Sequence, residues 1–451
     1  MPKRPGFSCE EAELRELARA VLERARKAGA SGASCDVSEA HGLTVTVRKG
    51  RPETIEHNRD RGIGVTVYLG ERPRAHRGHA STSDFSRAAI EQTVDAATAI
   101  ARHTAEDDCA GLADETLLAR EPRSLDLFHP WPISTEEAIA IAKRCEDAAF
   151  AVSPLIRNSE GASVSAQQSQ YVLATSQGFV QHVAGSRHYL SCAVIAESKG
   201  LMQRDDWYSA SRVPEQLAEP RALGRYAGER AAARLGARKI ATCQAPVLFE
   251  APAAIQLIGH FVSAVTGGSL YRKTSFLTDS LGKPVFSPRV NIDERPFEPR
   301  GMASAFFDEE GVATQERSIV RGGVVEGYFL SSYSARKLGM QTTGNAGGHH
   351  NLVVEPGALD FRGMLREMGR GLLVTELLGH GVNPVTGDYS RGAAGFWVQG
   401  GEIRFPVEEI TIAGNLKDMY RGIAAIGNDV LVRSGRSCGS ILVENMTIAG
   451  E

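Results

Sequence analysis

In the N-terminal quarter of the chain, the spacing of the apolar residues is first that of a helix and then that of strands. Residues 10–28 carry leucine and valine at helical spacing, which predicts an amphipathic helix. Residues 43–81 then alternate apolar and polar side chains between short turns, which is typical of antiparallel strands. A helix capped by Ser83 or Asp84 should follow and run to about residue 103. This part of the chain is predicted to be a scaffold of one small sheet and two helices.

The next part of the chain begins with a helix-capping signature. Ser134 and Glu137 have the spacing of a capping box, so a helix should begin there and end near residue 150. Residues 161–197 read as a β-meander, and residues 220–235 as a closing helix.

The last two-fifths of the chain combine strand patterns with glycine-rich turns. An apolar helix is predicted at 252–266, and hairpins with Gly-Gly tips at 318–328 and 395–404. The fold class is therefore α+β: an N-terminal antiparallel sheet with helices, then a larger, mostly antiparallel, strand-rich and barrel-like C-terminal domain. We expect three units, an N-terminal α+β domain, a middle helix plus β-meander unit and a C-terminal β-rich domain, at 1–105, 106–240 and 241–451.

The composition excludes several classes of protein. With 51 basic and 54 acidic residues the formal charge is −3, which gives no electrostatic reason to expect nucleic-acid binding. No stretch reaches the ~20 apolar residues of a membrane span, and the basic start of the chain has no apolar core, so we expect neither a membrane segment nor a secretory signal. Seven scattered cysteines without Cys-x-x-Cys favour a reduced, cytoplasmic protein.

Histidines are the first candidates for a metal site. A helical zinc-hydrolase site needs two histidines on one helix face and a carboxylate base, but the helix at 252–266 carries only His260. A single helix histidine is typical of a packed core residue. His349 and His350 are adjacent and would point to opposite sides of an extended segment. An alternative is an unrecognised metal site formed by His349, His350 and His380, which comes from another loop.

Cys438 is the candidate nucleophile. It precedes a glycine in a turn-like stretch with Arg433 and Arg436 nearby, and a reactive thiolate needs such a positive field or a base. His260 is a candidate base if the fold brings it close. The alternative is that Cys438 is a small buried residue beside a turn.

A Gly/His run supplies the candidate substrate-binding residues. Asn345, His349, His350 and Asn351 combine flexible backbone with amide and imidazole groups that could grip a peptide, and a structural turn is the alternative. Arg391 is a further candidate, in a stretch that could equally form the core and rim of the sheet.

Four long motifs resemble the TldD/PmbA family of bacterial metalloproteases, in its PmbA (TldE) branch. They are Tyr271-Arg-Lys-Thr-Ser-Phe-Leu-Thr-Asp-Ser-Leu-Gly282, Ser331-Ser-Tyr-Ser-Ala-Arg-Lys-Leu-Gly339, Gly387-Asp-Tyr-Ser-Arg-Gly-Ala-Ala-Gly-Phe-Trp397 and Glu409-Ile-Thr-Ile-Ala-Gly-Asn-Leu-Lys-Asp-Met419. The resemblance covers nearly the whole chain and is loosest at the N-terminus.

The resemblance implies a cytoplasmic peptidase system that acts on unstructured peptides. In the TldD branch a helix carries His-Glu-x-x-x-His, and a cysteine near the C-terminus completes the zinc site. Those histidine positions correspond to Gly259 and Ala264 here, the glutamate corresponds to His260, and Cys438 matches the cysteine. One ligand of three cannot hold zinc. The resemblance therefore implies a chain without metal that pairs with a zinc-bearing, TldD-type subunit.

We therefore expect a PmbA/TldE-type subunit that completes the substrate cleft of its zinc-bearing partner and binds an extended peptide by strand addition. We expect no cofactor on this chain, zinc on the partner, and possible homodimers of the isolated chain. Two alternatives remain. One is a stand-alone hydrolase that uses Cys438 with His260 or an unrecognised metal site. The other is a non-catalytic regulator that binds peptides.

Overall fold

The structure is a computed structural model that describes residues 6–450. Residues 1–5, the start of the segment considered above as a secretory signal, and residue 451 lie outside the described residues. The helices within this range are α1 Glu11–Lys27, α2 Arg87–His103, α3 Thr135–Phe150, α4 Pro220–Ala233, α5 Ala251–Ala264, α6 Gly267–Tyr271, α7 Ser332–Lys337, α8 Phe361–Met368 and α9 Leu416–Arg421.

A six-stranded antiparallel sheet spans the first half of the chain, in the order β3-β2-β1-β4-β5-β6. Its strands are β1 Gly32–Arg48, β2 Arg51–Leu69, β3 His76–Thr82, β4 Ile156–Thr175, β5 Val180–Ser198 and β6 Leu201–Ser211. The pairing of β1 with β4 joins strands from the first two predicted units in one sheet. The division of the chain at 105 and 240 stays a prediction.

All four long helices of this half cover one face of the sheet. Alternate side chains of β1 point to that face because successive residues of a strand face opposite sides. At one end of β1, Cys35 and Val37 pack with α1 and α2. At the other end, Val45 and Val47 pack with α3 and α4. The opposite face is polar and pairs hydroxyls across strands, such as Thr44 with Ser165 at 2.9 Å.

The C-terminal half contains a closed barrel of five strands. The strands are β7 Cys243–Phe249, β12 Arg370–Leu378, β13 Asp388–Gln399, β14 Glu402–Asn415 and β18 Ile441–Ala449, with β15 Ile423–Ile426 paired outside the ring to β18. The ring closes because β14 pairs with both β13 and β18. The predicted α+β class with a barrel-like C-terminal domain is confirmed.

A third sheet lies beside the barrel in the order β10-β9-β8-β11-β17-β16. Its short strands are β8 Ile292–Glu294, β9 Arg317–Arg321, β10 Val324–Val325, β11 Leu352–Val354, β16 Leu431–Arg433 and β17 Arg436–Cys438. Helix α5 follows the first barrel strand and also contacts β17. The core of this half joins side chains from α5, the barrel and the third sheet.

Local sequence signatures predict the five longest helices and several strands, but not every element. The capping box of Ser134 and Glu137 is confirmed at the start of α3. The predicted cap of α2 at Ser83 or Asp84 is wrong, because the cap is Ser86. The Asp84 carboxylate accepts the Ser86 amide at 2.8 Å and forms a turn ahead of the helix. Strand β6 was not predicted.

None of the helices within residues 6–450 is long and apolar enough to cross a membrane.

The contact between α3 and α4 generates a stability prediction. A Cβ at Gly224 would lie 1.8 Å from the backbone carbonyl oxygen of Cys145, so the two helix backbones approach too closely for a side chain. Although alanine favours a helix by about 1 kcal/mol, we expect Gly224→Ala to lower the free energy of unfolding by about 1–3 kcal/mol because the backbone must shift. Urea unfolding measures this.

The matched control is Arg225→Ala, at the exposed neighbouring position of the same helix. It should leave the urea midpoint nearly unchanged. A Gly224→Ala protein as stable as the wild type would contradict the close approach of α3 and α4.

Candidate functional site

The solvent side of α5 faces the hairpin of β16 and β17. Gln256 and Ser263 are exposed and His260 is half-buried on this side, whereas the apolar residues between them enter the core. The four-residue and three-residue spacing places these side chains on one helix face. This face contains Gly259 and His260, two of the three helix positions that sequence analysis compared with a zinc site; the third, Ala264, is buried in the core.

Arg436 of β17 covers Gly259. A Cβ at position 259 would lie 2.8 Å from Nη1 of Arg436, so the guanidinium occupies the space of a side chain at that position. Burial lowers the pKa of Arg436 from its ordinary value, but the group remains a cation because guanidinium is so basic. A positive charge therefore lies where a histidine would project from the helix.

His349 is the hydrogen-bond partner of Arg436. The guanidinium Nε donates to His349 Nε2 at 3.1 Å, and His349 Nδ1 donates to the His350 carbonyl at 2.5 Å. These two bonds assign the neutral imidazole with its proton on Nδ1. Burial is the main reason that the pKa of His349 is lowered, with the charge of Arg436 adding to it.

His260 is a neutral imidazole with a free ring nitrogen. Its Nε2 is buried and makes no hydrogen bond within residues 6–450. The ring packs edge-on against Tyr389, with 6.0 Å between ring centroids. Burial, and then the charges of Arg391 and Arg436, lower its pKa to about 4. His260 is therefore uncharged at neutral pH.

Tyr389 and Arg391 complete the surroundings of His260. They are two residues apart on β13, so their side chains lie on the same face of the strand. Arg391 donates from Nη1 to Gln256 Oε1 and from Nη2 to the Leu377 carbonyl, both at 3.2 Å. Neither its Nε nor the Tyr389 hydroxyl makes a well-aligned hydrogen bond among the described residues, although the Arg391 guanidinium lies close enough to interact with the hydroxyl. Burial raises the pKa of Tyr389 to about 12, against the opposing effect of Arg391.

Cys438 lies on β17 and makes no hydrogen bond to a basic side chain among the described residues. Its buried Sγ donates to the Gly439 carbonyl at 3.1 Å. Burial, together with the charge of Asp429, raises the pKa of the thiol well above its ordinary value. In the described part of the chain no hydrogen bond joins Cys438 to His260, whose free nitrogen has no partner. The arrangement favours a protonated, inert thiol.

The other predicted substrate-binding residues make hydrogen bonds within their loop and to two distant segments of the chain. Asn345 Nδ2 donates to Glu294 Oε1 at 2.8 Å, and His350 Nε2 donates to the Gly344 carbonyl at 3.0 Å. The Asn351 amide donates to Ser304 Oγ at 2.7 Å. These contacts fold the loop around the buried Glu294 carboxylate, which also accepts the His350 amide. Their role in substrate binding stays a prediction.

Possible metal ligands also gather at Asp107, Asp108 and Cys109, whose ligand atoms lie within 4.8 Å of one another. The Lys337 ammonium already bonds both carboxylates at 2.9 Å. This cluster therefore carries its own counter-charge. His380, the third histidine considered above, lies exposed in the loop after β12.

Sequence reasoning named His260, His349 and Arg391 separately, and the structure brings them to one place around Arg436. It missed the role of Arg436 as the cover of Gly259. This contact joins a helix glycine to an arginine far away in the sequence, and no local sequence pattern predicts such a pair.

Comparisons with known proteins agree along the whole chain. Residues 33–101, 128–235 and 242–450 match the first, central and C-terminal domains of the PmbA/TldA metallopeptidase family. Metalloprotease PmbA of Escherichia coli O157:H7 is 47% identical over 438 residues, which cover 97% of this chain and 96% of that protein.

Two crystal structures share the fold. A candidate modulator of DNA gyrase from Bacteroides thetaiotaomicron superposes with a TM-score of 0.91 at 25% identity, covering 97% of this chain and 99% of the other. TldE from Thermococcus kodakarensis gives a TM-score of 0.85 at 18% identity, with 96% and 100% covered. This chain belongs to the PmbA/TldD metallopeptidase family.

Proposed function

We propose that this chain is the zinc-less subunit of a heteromeric metallopeptidase that cleaves unstructured peptides. In this assembly it completes the substrate cleft of a zinc-bearing, TldD-type partner. The observation that carries the proposal is the Arg436 guanidinium over Gly259, 2.8 Å from the site of a Cβ. A cation in the place of a ligand is the opposite of what a zinc site requires.

The surrounding residues do not fit a zinc ion. A catalytic zinc site uses three protein ligands directed at one point. Gly259 and Ala264 have no donor atoms in their side chains. The thiol of Cys438 is buried with a raised pKa, whereas zinc binds the thiolate. The charges of Arg391 and Arg436, which both act on His260, would also repel a divalent cation.

An edge strand supports the peptide-binding part of the proposal. Strand β16 is the last strand of its sheet, so the outer side of its backbone is available for a further strand. Val432 on this strand is 59% exposed. An extended peptide bound there would gain backbone hydrogen bonds that do not depend on its side chains, which suits substrates of varied sequence.

A cavity of about 290 Å³ lies beside this edge. It separates β16 from β6, the edge strand of the N-terminal sheet, and Arg433 crosses it to donate to the Tyr208 carbonyl at 2.6 Å. Arg433 also stacks on the Tyr208 ring, 3.5 Å from its centroid. These contacts support a cleft formed by both halves of the chain.

The stand-alone hydrolase is less well supported. Its nucleophile would be Cys438, a buried thiol that donates to the Gly439 carbonyl. Its base would be His260, but the unbonded Nε2 of His260 makes no hydrogen bond to that thiol. The cytoplasmic location, the absence of nucleic-acid partners and the possible homodimer of the isolated chain stay predictions.

The proposal predicts how metal and activity divide between subunits. We expect the chelator-washed, remetallated chain alone to bind no stoichiometric zinc and to cleave no peptide, since it lacks a ligand set. Co-purified with a TldD-type chain, it should give an assembly with one zinc per partner and peptidase activity. Elemental analysis and a fluorogenic peptide assay measure both.

The control assembly carries a partner in which the first histidine of His-Glu-x-x-x-His is replaced by alanine. It should assemble but remain inactive. About one tightly bound zinc on the isolated chain, with cleavage by that chain alone, would establish the stand-alone hydrolase instead. Assembly without activity in the unmodified pair would favour the peptide-binding regulator.

The buried thiol generates a second prediction. Iodoacetamide should leave Cys438 unmodified in the folded chain, because its raised pKa disfavours the reactive thiolate. Half-buried Cys243 provides the internal control and should react sooner. Peptide mass mapping measures the extent of alkylation at Cys438 and Cys243.

Cys438→Ala should cost about 1 kcal/mol of stability, from the loss of a small buried side chain. Peptide cleavage by the assembly should stay within a few fold. A hundredfold loss of rate with intact assembly would place Cys438 in the chemistry.

A further inference from the structure

Three neighbouring side chains around α5 each leave a buried polar atom without a well-aligned hydrogen bond among the described residues, although the Arg391 guanidinium lies close to the Tyr389 hydroxyl. They are Nε2 of His260, the hydroxyl of Tyr389 and Nε of Arg391. Tyr389 is only 1% exposed and Arg391 only 9% exposed. Buried polar groups are nearly always hydrogen-bonded, so three such atoms on adjacent side chains indicate that a ligand supplies the missing acceptor.

The charge balance gives a second, independent indication. Arg230 and Arg234 line the cavity of about 290 Å³ beside β16, and both bond carboxylates. Arg230 bonds Glu250 at 2.8 Å and Arg234 bonds Glu376 at 2.5 Å. Arg391 and Arg436 instead bond only neutral acceptors. Among the described residues neither has an ion pair. Arg391 is buried, and a buried cation without an anion is unfavourable, so its missing counter-charge points to an anionic ligand.

A cavity lies next to the site and is connected to it through the bonding partners of Arg391, although His260, Tyr389, Arg391 and Arg436 do not line it. Gln256, which accepts from Arg391, is exposed on α5, and it lines the cavity of about 290 Å³ together with Leu377. The Gln256 amide is therefore a neutral acceptor at the mouth of the site, and an incoming carboxylate could replace it on the guanidinium. The cavity continues toward Arg433 on the edge strand β16.

We infer that His260, Tyr389, Arg391 and Arg436 form a binding subsite for a carboxylate of the peptide substrate. This inference rests on the proposed function for the identity of the ligand as a peptide. The guanidinium fork of Arg391 suits a planar carboxylate, and charge-assisted bonds of this kind are stronger than neutral ones. The Tyr389 hydroxyl and the His260 ring supply further donors.

The carboxylate comes either from the C-terminus of the peptide or from an acidic side chain. Both present the same planar anion, and the experiment separates them. The subsite binds and positions the peptide; it takes no part in bond breaking, which the proposed function assigns to the partner.

The test uses isothermal titration of the isolated full-length chain with two pairs of peptides. One pair is a neutral peptide with a free C-terminus and the same peptide as the amide. The other pair is an amidated peptide with an internal glutamate and its glutamine counterpart. The carboxylate member of at least one pair should bind about tenfold or more tightly, since a hydrogen bond to a charged group contributes that much.

Tyr389→Phe removes a hydroxyl that makes no well-aligned hydrogen bond within the protein, so the fold should tolerate it. This variant should lose severalfold of the carboxylate preference. Tyr420→Phe is the matched control, because the buried Tyr420 hydroxyl donates to the Leu257 carbonyl at 3.1 Å. It should lose stability in a thermal melt but keep the full preference. Arg391→Gln should abolish the preference, and Arg391→Lys should restore part of it.

Equal affinity for all four peptides, or no binding by the wild-type chain, overturns the subsite. So does a carboxylate preference that survives both Tyr389→Phe and Arg391→Gln. Failure of the subsite is distinguishable from failure of the proposed function. An active assembly that cleaves acid and amide peptides with the same KM refutes the subsite alone, whereas a carboxylate preference in a chain that never assembles refutes the subunit role alone.

Discussion

Burial of the apolar face of α5 fixes everything around the candidate site. Leu257, Ile258 and Phe261 pack into a core shared by the barrel and the third sheet, so the helix cannot rotate without exposing them. The bond network of Arg230 with Asp205 and Glu250 also ties the start of α5 to the N-terminal half. Because the helix is held in this orientation, Gly259 and His260 must face β17. The chemistry of the site then depends on what β17 presents, and it presents a guanidinium.

The Arg436 guanidinium gives this site a positive charge, although the chain belongs to a metallopeptidase family. A zinc site concentrates lone pairs, whereas this one gathers two arginines around a neutral histidine, and neither arginine has an ion pair within residues 6–450. The same backbone arrangement therefore suits an anion rather than a metal ion. The proposed division of labour follows: one subunit supplies the metal chemistry, and this one supplies an edge strand and a positively charged end of the cleft.

Local patterns predicted the local structure. The capping box at Ser134, the helical period of α1 and the Gly-Gly hairpin tip at residues 322–323 depend on neighbours in sequence, and all are found. Barrel closure and the pairing of β1 with β4 depend on contacts between distant segments, and no periodicity contains them. For the same reason the sequence identified His260 and Arg391 as isolated candidates but missed the contact of Arg436 with Gly259. The bonds of Asn345 to Glu294 and of Asn351 to Ser304 also join distant segments, so no local pattern predicts them.

The most direct test of this account is anomalous diffraction at the zinc edge from crystals of the assembled heteromer. The account predicts an anomalous peak on the helix of the partner that carries His-Glu-x-x-x-His. It predicts no peak between α5 and β17 of this chain, where the electron density should instead show the Arg436 guanidinium against Gly259. A zinc peak beside His260 and Cys438, with Arg436 displaced from the helix, would contradict it.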